Sequence, residues 1–384
     1  MRYRRLGKTG LMVSEIGFGG EWLERHDARA CKAVIDRAEA LGINILDCWM
    51  PGPEVRDNIG SAIAGRRERW IIQGHIGSTW QNGQYTRTRD VEKCRVAFED
   101  LLSRLRTDYI DLGMIHYVDL EEDWEVVQHT AFLDYVMALK AAGRIRHIGL
   151  STHNPVIARK AAESGIVEMI LFSVNPAFDL MPPTDDLDNY FAEVYDASLA
   201  GIDPVRADMY RRCAQLDIGI TCMKPFAGGR LFDAQRSPFG VALTPVQCIH
   251  YCLTKPAVAS VMCGYDTPDH VEAAAAYETA SDAERDYASV LAAAPAHAFT
   301  GGECTYCGHC KPCPVDIDIA MVNKLYDLAV MQPEVPASLR THYSDLAHHA
   351  GECIACHGCE QRCPFGVKVA DRMDKAAKLF EQGA

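Results

Sequence analysis

The chain has 384 residues, 48% hydrophobic and 24% charged, with a formal net charge of −13. That composition describes a globular protein with room for one large domain and an appendage, and excludes a disordered or fibrous one. The acidic balance, with no basic block to offset it, would repel a phosphate backbone and argues against nucleic acid as a partner. No apolar run reaches the length of a spanning helix, and the opening MRYRRLGKTGLMVSEIG carries neither a long apolar core nor a small-residue cleavage site. A cytoplasmic protein with no membrane partner is expected.

From residue 16 to about 275, short apolar runs alternate with amphipathic stretches. Strands are predicted over 15–20, 43–47, 70–75, 109–116, 145–151, 169–175, 218–224 and 258–264. Helical patterns fall between them, for example over 28–42, 89–105 and 155–165, several closed by a glycine. Eight β/α units of this kind predict an α/β fold, a (β/α)8 TIM barrel. A Rossmann-like sheet is the other reading, but no GxGxxG follows the first strand. Residues 176–206, between the sixth strand and its helix, read as an insertion long enough to be a lid.

Sixteen cysteines are an excess that points to metal in a reducing compartment. Eight are scattered through the first 300 residues as small hydrophobes, and eight stand in two runs beyond it. The first run is Cys304, Cys307, Cys310, Cys313, followed by a proline; the second is Cys353, Cys356, Cys359, Cys363, again followed by a proline. Two-residue gaps let three thiolates converge on one cubane while the proline-flanked fourth leaves in another direction, as in two-cluster ferredoxins. Cross-ligation would then join Cys304, Cys307 and Cys310 with Cys363, and Cys353, Cys356 and Cys359 with Cys313, around two [4Fe-4S] clusters. The first run has two residues before its last cysteine where the usual spacing has three. Zinc knuckles and free thiols are the bland alternatives.

The segments RYRRLGKTGLMVSEIGFGG, GINILD, DYIDLGMIH, GITCMKPFAGGRL and VASVMCGYDTPDHVE together resemble the aldo-keto reductases, and the tail resembles the ferredoxin-type extension of an iron–sulfur branch of that family. The resemblance implies a barrel over residues 1–297, a small α-helical ferredoxin-like domain over 298–384, and a site at the C-terminal mouth of the barrel. It also implies a nicotinamide cofactor and carbonyl reduction by hydride transfer. Of the family's Asp, Tyr, Lys and His, Asp47 and His116 match, whereas Gly52 stands in the tyrosine's place and His75 in the lysine's. Without the phenol the usual proton donor is missing. Asp47, His75 and His116 remain at neighbouring strand ends, fit for acid–base work, for a 2-His-1-carboxylate metal site, or for neither.

For the cofactor, Ser151 and Asn154 resemble the residues that hold the nicotinamide carboxamide, while Lys224, Gly228, Gly229 and Gly264 fall where phosphate is held. Asp266 stands where the family tends to have a basic residue, which disfavours NADPH; NADH, a flavin or no nucleotide stay open. Trp22, Trp49, Met50, Trp80, Tyr85 and Tyr117 suggest an apolar or aromatic substrate surface at the rim.

The expectation is an iron–sulfur oxidoreductase that couples its two clusters to reduction or oxidation of a small organic substrate, with a ferredoxin or flavoprotein as redox partner and an anaerobic host. The alternatives are an electron-transfer or docking subunit with a silent barrel, and an acid–base or metal-dependent lyase or isomerase using Asp47, His75 and His116.

Overall fold

A computed structural model describes residues 1–179, 202–237, 239–292, 304, 310–330, 335, 337–363 and 366–381. Most of the expected lid, the expected domain boundary at 297/298 and Cys307 lie outside these residues. The chain divides into two compact units, Met1–Gln81 with Arg87–Phe299 and Asn82–Thr86 with Thr300–Ala384.

The first unit is a closed barrel of eight parallel strands. They are β1 (Ile16–Gly19), β2 (Ile45–Cys48), β3 (Ile71–Ile76), β4 (Ile110–Ile115), β5 (Ile145–Thr152), β6 (Met169–Ser173), β7 (Gly219–Met223) and β8 (Val258–Gly264). Around them run α1 (Ala28–Ala40), α2 (Pro53–Ala62), α3 (Val91–Leu105), α4 (Ala131–Ala141), α5 (Pro155–Glu163), α6 (Pro204–Gln215), α7 (Pro245–Leu253) and α8 (Pro268–Ala275). Side chains that accept from backbone N–H groups start most of these helices, among them Asp27, Asp90, Asn154, Asp203 and Thr244. Apolar residues of the helices and of the outward strand positions form one large core. A second, smaller core holds Leu6, Val13, Ile45, Leu112, Met114, Met169, Leu171, Ala259 and Met262.

The period of two along a strand explains that division. Ile45, Leu112 and Met114 point into the lumen, and so do Asp47 and His116 further along the same parity. Gly149 in β5 keeps this interior filled: a Cβ there would lie 2.5 Å from the sulfurs of both Met114 and Met169. Below the barrel an antiparallel hairpin, Tyr3–Arg5 with Met12–Ser14, brings Leu6 and Val13 into the lumen core. Asp47, His75 and His116 therefore stand near the ends of neighbouring strands above an apolar plug, which is how the sequence raises these groups to one rim. Where the insertion was expected, the described residues include a short helix over Pro176–Asp179, and the Asp203 N–H donates to the Asp179 carbonyl at 2.7 Å.

The second unit has its own core, built from Ile317, Val322, Leu325, Met373, Ala376 and Phe380 among others. Its helices are α9 (Ile319–Val330), α10 (Ala337–Ser344) and α11 (Val369–Phe380), with a single turn over Gly358–Gln361. Among the described residues no helix is long and apolar enough to cross a membrane.

Candidate active site

Asp47 sits in β2, His75 in β3 and His116 immediately after β4, and all three are at least 95% buried. They form a line of hydrogen bonds. His75 meets Asp47 Oδ1 through Nε2 at 2.9 Å and His116 Nδ1 through its own Nδ1 at 2.8 Å. Gln73 Nε2 donates to the same Asp47 oxygen at 2.8 Å, and Thr221 in β7 donates to Gln73 Oε1 at 2.8 Å. The carboxylate accepts, so His75 carries its hydrogen on Nε2 and accepts on Nδ1. His116 therefore donates from Nδ1, and its Nε2 is an acceptor. Burial, then the neighbouring His75, hold the His116 pKa well below the usual histidine range. The Trp49 indole stacks on the His116 ring with centroids 5.8 Å apart.

This geometry does not make a metal triad of Asp47, His75 and His116. Both nitrogens of His75 are committed to the other two residues, so the three do not aim lone pairs at a common point. Among the described residues no group of three or more His, Cys, Asp or Glu converges on a metal-ion position.

Gly52, in the place of a phenol, caps α2 with no side chain to offer, next to Glu24 and Trp80. Glu21, in the turn that follows β1, is the mouth carboxyl that sequence reasoning passed over. Burial pushes it up to about 7, against the pull of the Lys224 ammonium.

The residues expected at a nucleotide separate into two groups. Ser151 is buried beside His116, where its Oγ accepts from the Tyr117 N–H at 2.7 Å. Asn154 Oδ1 caps α5 through the Val156 N–H and its Nδ2 donates to the Asp119 carbonyl, so both ends of the amide take part in the loop. Lys224, Ala227, Gly228 and Gly229 all have positive φ, a strained turn that follows β7. A side chain at Gly229 would meet nothing within 4 Å. Gly264 lies under Trp22, whose indole is 2.5 Å from where a Cβ would stand, and Asp266 pairs with His26 at 3.0 Å. Of the expected rim, Met50 belongs to the large core, Tyr85 and Tyr117 are buried, and Trp80 is exposed.

In the second unit Cys313, Cys353, Cys356 and Cys359, together with Ile317 and Met373, line a solvent-open pocket. The Arg362 guanidinium donates to the carbonyls of Cys310 at 2.7 Å and Pro312 at 2.6 Å, which pins the end of the first run against the second.

Comparison with known proteins agrees with the barrel. The family model described as "Aldo/keto reductase family" matches residues 15–242. The chain is 29% identical over 277 residues to the uncharacterized oxidoreductase YqkF of Bacillus subtilis, a match that covers 69% of this chain and 87% of that protein. It is 26% identical to the NADH-specific methylglyoxal reductase of Escherichia coli, over 43% of this chain and 54% of that one. The solved structure of the aldo-keto reductase AKR11C1 from Bacillus halodurans, in its holo form, covers 78% of this chain and 98% of its own length, with a TM-score of 0.60 at 22% identity.

Proposed function

The chain belongs to the aldo/keto reductase family and is an oxidoreductase, and on that premise we propose that two [4Fe-4S] clusters couple it to reduction or oxidation of a small organic substrate at the barrel mouth. The observation that carries the reading is the line Asp47–His75–His116. In the oxidising direction His116 Nε2 takes the hydroxyl proton of the substrate, its Nδ1 proton passes to His75 Nδ1, and the charge that His75 gains rests beside Asp47. The reverse sequence delivers a proton to a carbonyl oxygen. A histidine relay thus does the work of the absent phenol and lysine.

A nicotinamide dinucleotide, when bound, supplies hydride chemistry. Ser151 and the turn of Lys224, Gly228 and Gly229 would hold it, with Asn154 already engaged in its own loop. The Asp266 carboxylate opposes a 2′-phosphate, which favours NADH, and the name of the similar Escherichia coli reductase accords with that choice.

Paired clusters supply single-electron transfer, in exchange with a ferredoxin or flavoprotein. The pocket supports the cross-ligation read from the spacing: it gathers Cys313 from the first run with Cys353, Cys356 and Cys359 from the second, and Cys363 does not line it. The ligands of a cubane are spread by the width of the cluster, wider than one ion's coordination shell.

Anaerobically prepared protein is expected to hold about eight iron and eight sulfide per chain, two complete cubanes. Cys313→Ala should remove the cluster of Cys353, Cys356 and Cys359, and Cys363→Ala the other. Zinc in place of iron, or damage confined to each mutated run's own cluster, would overturn the assignment.

A further inference from the structure

We propose that Arg362 sets the potential of the cluster held by Cys313, Cys353, Cys356 and Cys359. It acts as a positioning residue, whose hydrogen bonds lock the two cysteine runs together and whose charge favours the reduced state. The inference rests on the two-cluster reading and adds to it a residue that tunes one cluster.

The pocket that gathers these cysteines has a largely apolar wall, with Val315, Ile317, Ile319, Val369 and Met373 beside the thiols. Among the described residues that line it, none is a carboxylate, and Arg362 is the one with a permanent charge. His357, also in the wall, is engaged through Nδ1 with Glu360 Oε2 at 3.0 Å, and the other oxygen of Glu360 accepts from the Ala370 N–H at 2.9 Å.

The position of the guanidinium follows from what it grips. Arg362 comes directly after the single turn Gly358–Gln361, between Cys359 and Cys363 of the second run. Its Nη2 donates to the carbonyls of Cys310 at 2.7 Å and Pro312 at 2.6 Å. Those two bonds fix the backbone just before Cys313, the one residue of the first run's cysteines that lines the pocket. On the other side, the point where a Cβ of Gly358 would stand lies 3.4 Å from Arg362 Nη1 and 4.0 Å from the Cys356 sulfur. Guanidinium and ligand sulfur therefore flank one small gap.

Net charge, hydrogen bonding and solvent exposure set the potential of such a cluster. Four thiolates leave a cubane negatively charged, and the charge grows when an electron enters. A cation held a few ångströms away stabilises the reduced form more than the oxidised one, and an apolar wall screens it less than water does. Arg362 thus makes the cluster easier to reduce. A unit charge at that range in a part-buried site is worth about tenfold in the ratio of reduced to oxidised cluster, which is about 59 mV for one electron.

The test is a dithionite titration of the whole anaerobically prepared protein followed by electron paramagnetic resonance, each cluster taking one electron from the reductant. The signal to follow is the one that Cys313→Ala removes. Arg362→Gln removes the charge and Arg362→Lys keeps it, while both lose the double grip of Nη2. The Gln variant should lower the reduced fraction about tenfold at fixed potential, and the Lys variant should stay near the parent. Lys375→Gln, at an exposed position of α11, should change nothing. Equal shifts in the Gln and Lys variants, or no shift in either, would overturn the proposal. If neither variant takes up its cluster, Arg362→Ala is reconstituted with dilute guanidinium or with urea, a neutral donor of the same shape. Recovery of the parent potential with guanidinium and not with urea supports the charge, and equal recovery or none with either refutes it. A parent protein that holds no iron refutes the two-cluster reading itself, and the metal content of the parent tells that failure from the others.

Discussion

At the residue scale, the protonation states of the mouth set what each group can do. His116, buried beside His75, stays neutral below the ordinary histidine pKa, so under the proposed relay it would serve as a base over a wide range and the acid limb of the rate profile should fall below pH 6.5. Replacement by Gln should lower kcat about a hundredfold, the usual scale of a lost general base, with cluster content unchanged. Near-normal turnover of that variant would mean the chemistry lies elsewhere. Glu21 is the opposite case. Its folded value of about 7 lies above the ordinary glutamate value of 4.5, so the native state binds the extra proton between those limits. Its contribution to stability is present below pH 4.5 and lost as pH rises through 7. Glu21→Gln should therefore melt higher than the parent at pH 8 and alike at pH 4, and equal melting temperatures at both would refute the shift. Asp47, His75 and His116 were legible because each ends an apolar strand. Glu21 was not, since nothing in GEWLER distinguishes a half-buried carboxyl from a solvated one. The pairing of Asp119 with His153 joins residues 34 apart on two loops and appears only in three dimensions.

At the element scale, the eight barrel strands stand within a residue or two of the apolar runs that predict them, because parallel strands buried on both faces leave a nearly continuous apolar signal. Two hairpins escaped. Ser78–Gln81 pairs with Gln84–Arg87 across Asn82 and Gly83, both at positive φ. That turn has the strongest short hairpin signature there is, but its strands are polar and carry no alternation. The N-terminal hairpin is three residues per strand and is fixed by what it plugs. Helix packing makes its own demand at Gly60 in α2, where a Cβ would run into the backbone carbonyl of Arg104 near the end of α3. Gly60→Ala should cost about 1–3 kcal/mol, an overpacking penalty read from a denaturant midpoint. A variant as stable as the parent would show that the two helices part freely.

At the scale of the whole molecule, each unit has its own hydrophobic core, and if the clusters complete the smaller one, removing iron should act there. Chelation under reducing conditions should strip hydrogen-exchange protection from α9 and α11 and leave the barrel helices protected. Equal loss in both units would contradict that division. The barrel has an internal brace of a different kind. Gln73 spans from β3 to Thr221 on β7 while holding Asp47 with its other end. Deleting one partner strands a buried polar atom, whereas replacing Gln73 and Thr221 together by apolar residues of like volume removes the brace at both ends and leaves Asp47 Oδ1 to His75 alone. Among descendants of this sequence the two positions should therefore change as a couple, and a lineage that has lost the pair should have lost the constraint on Asp47 with it.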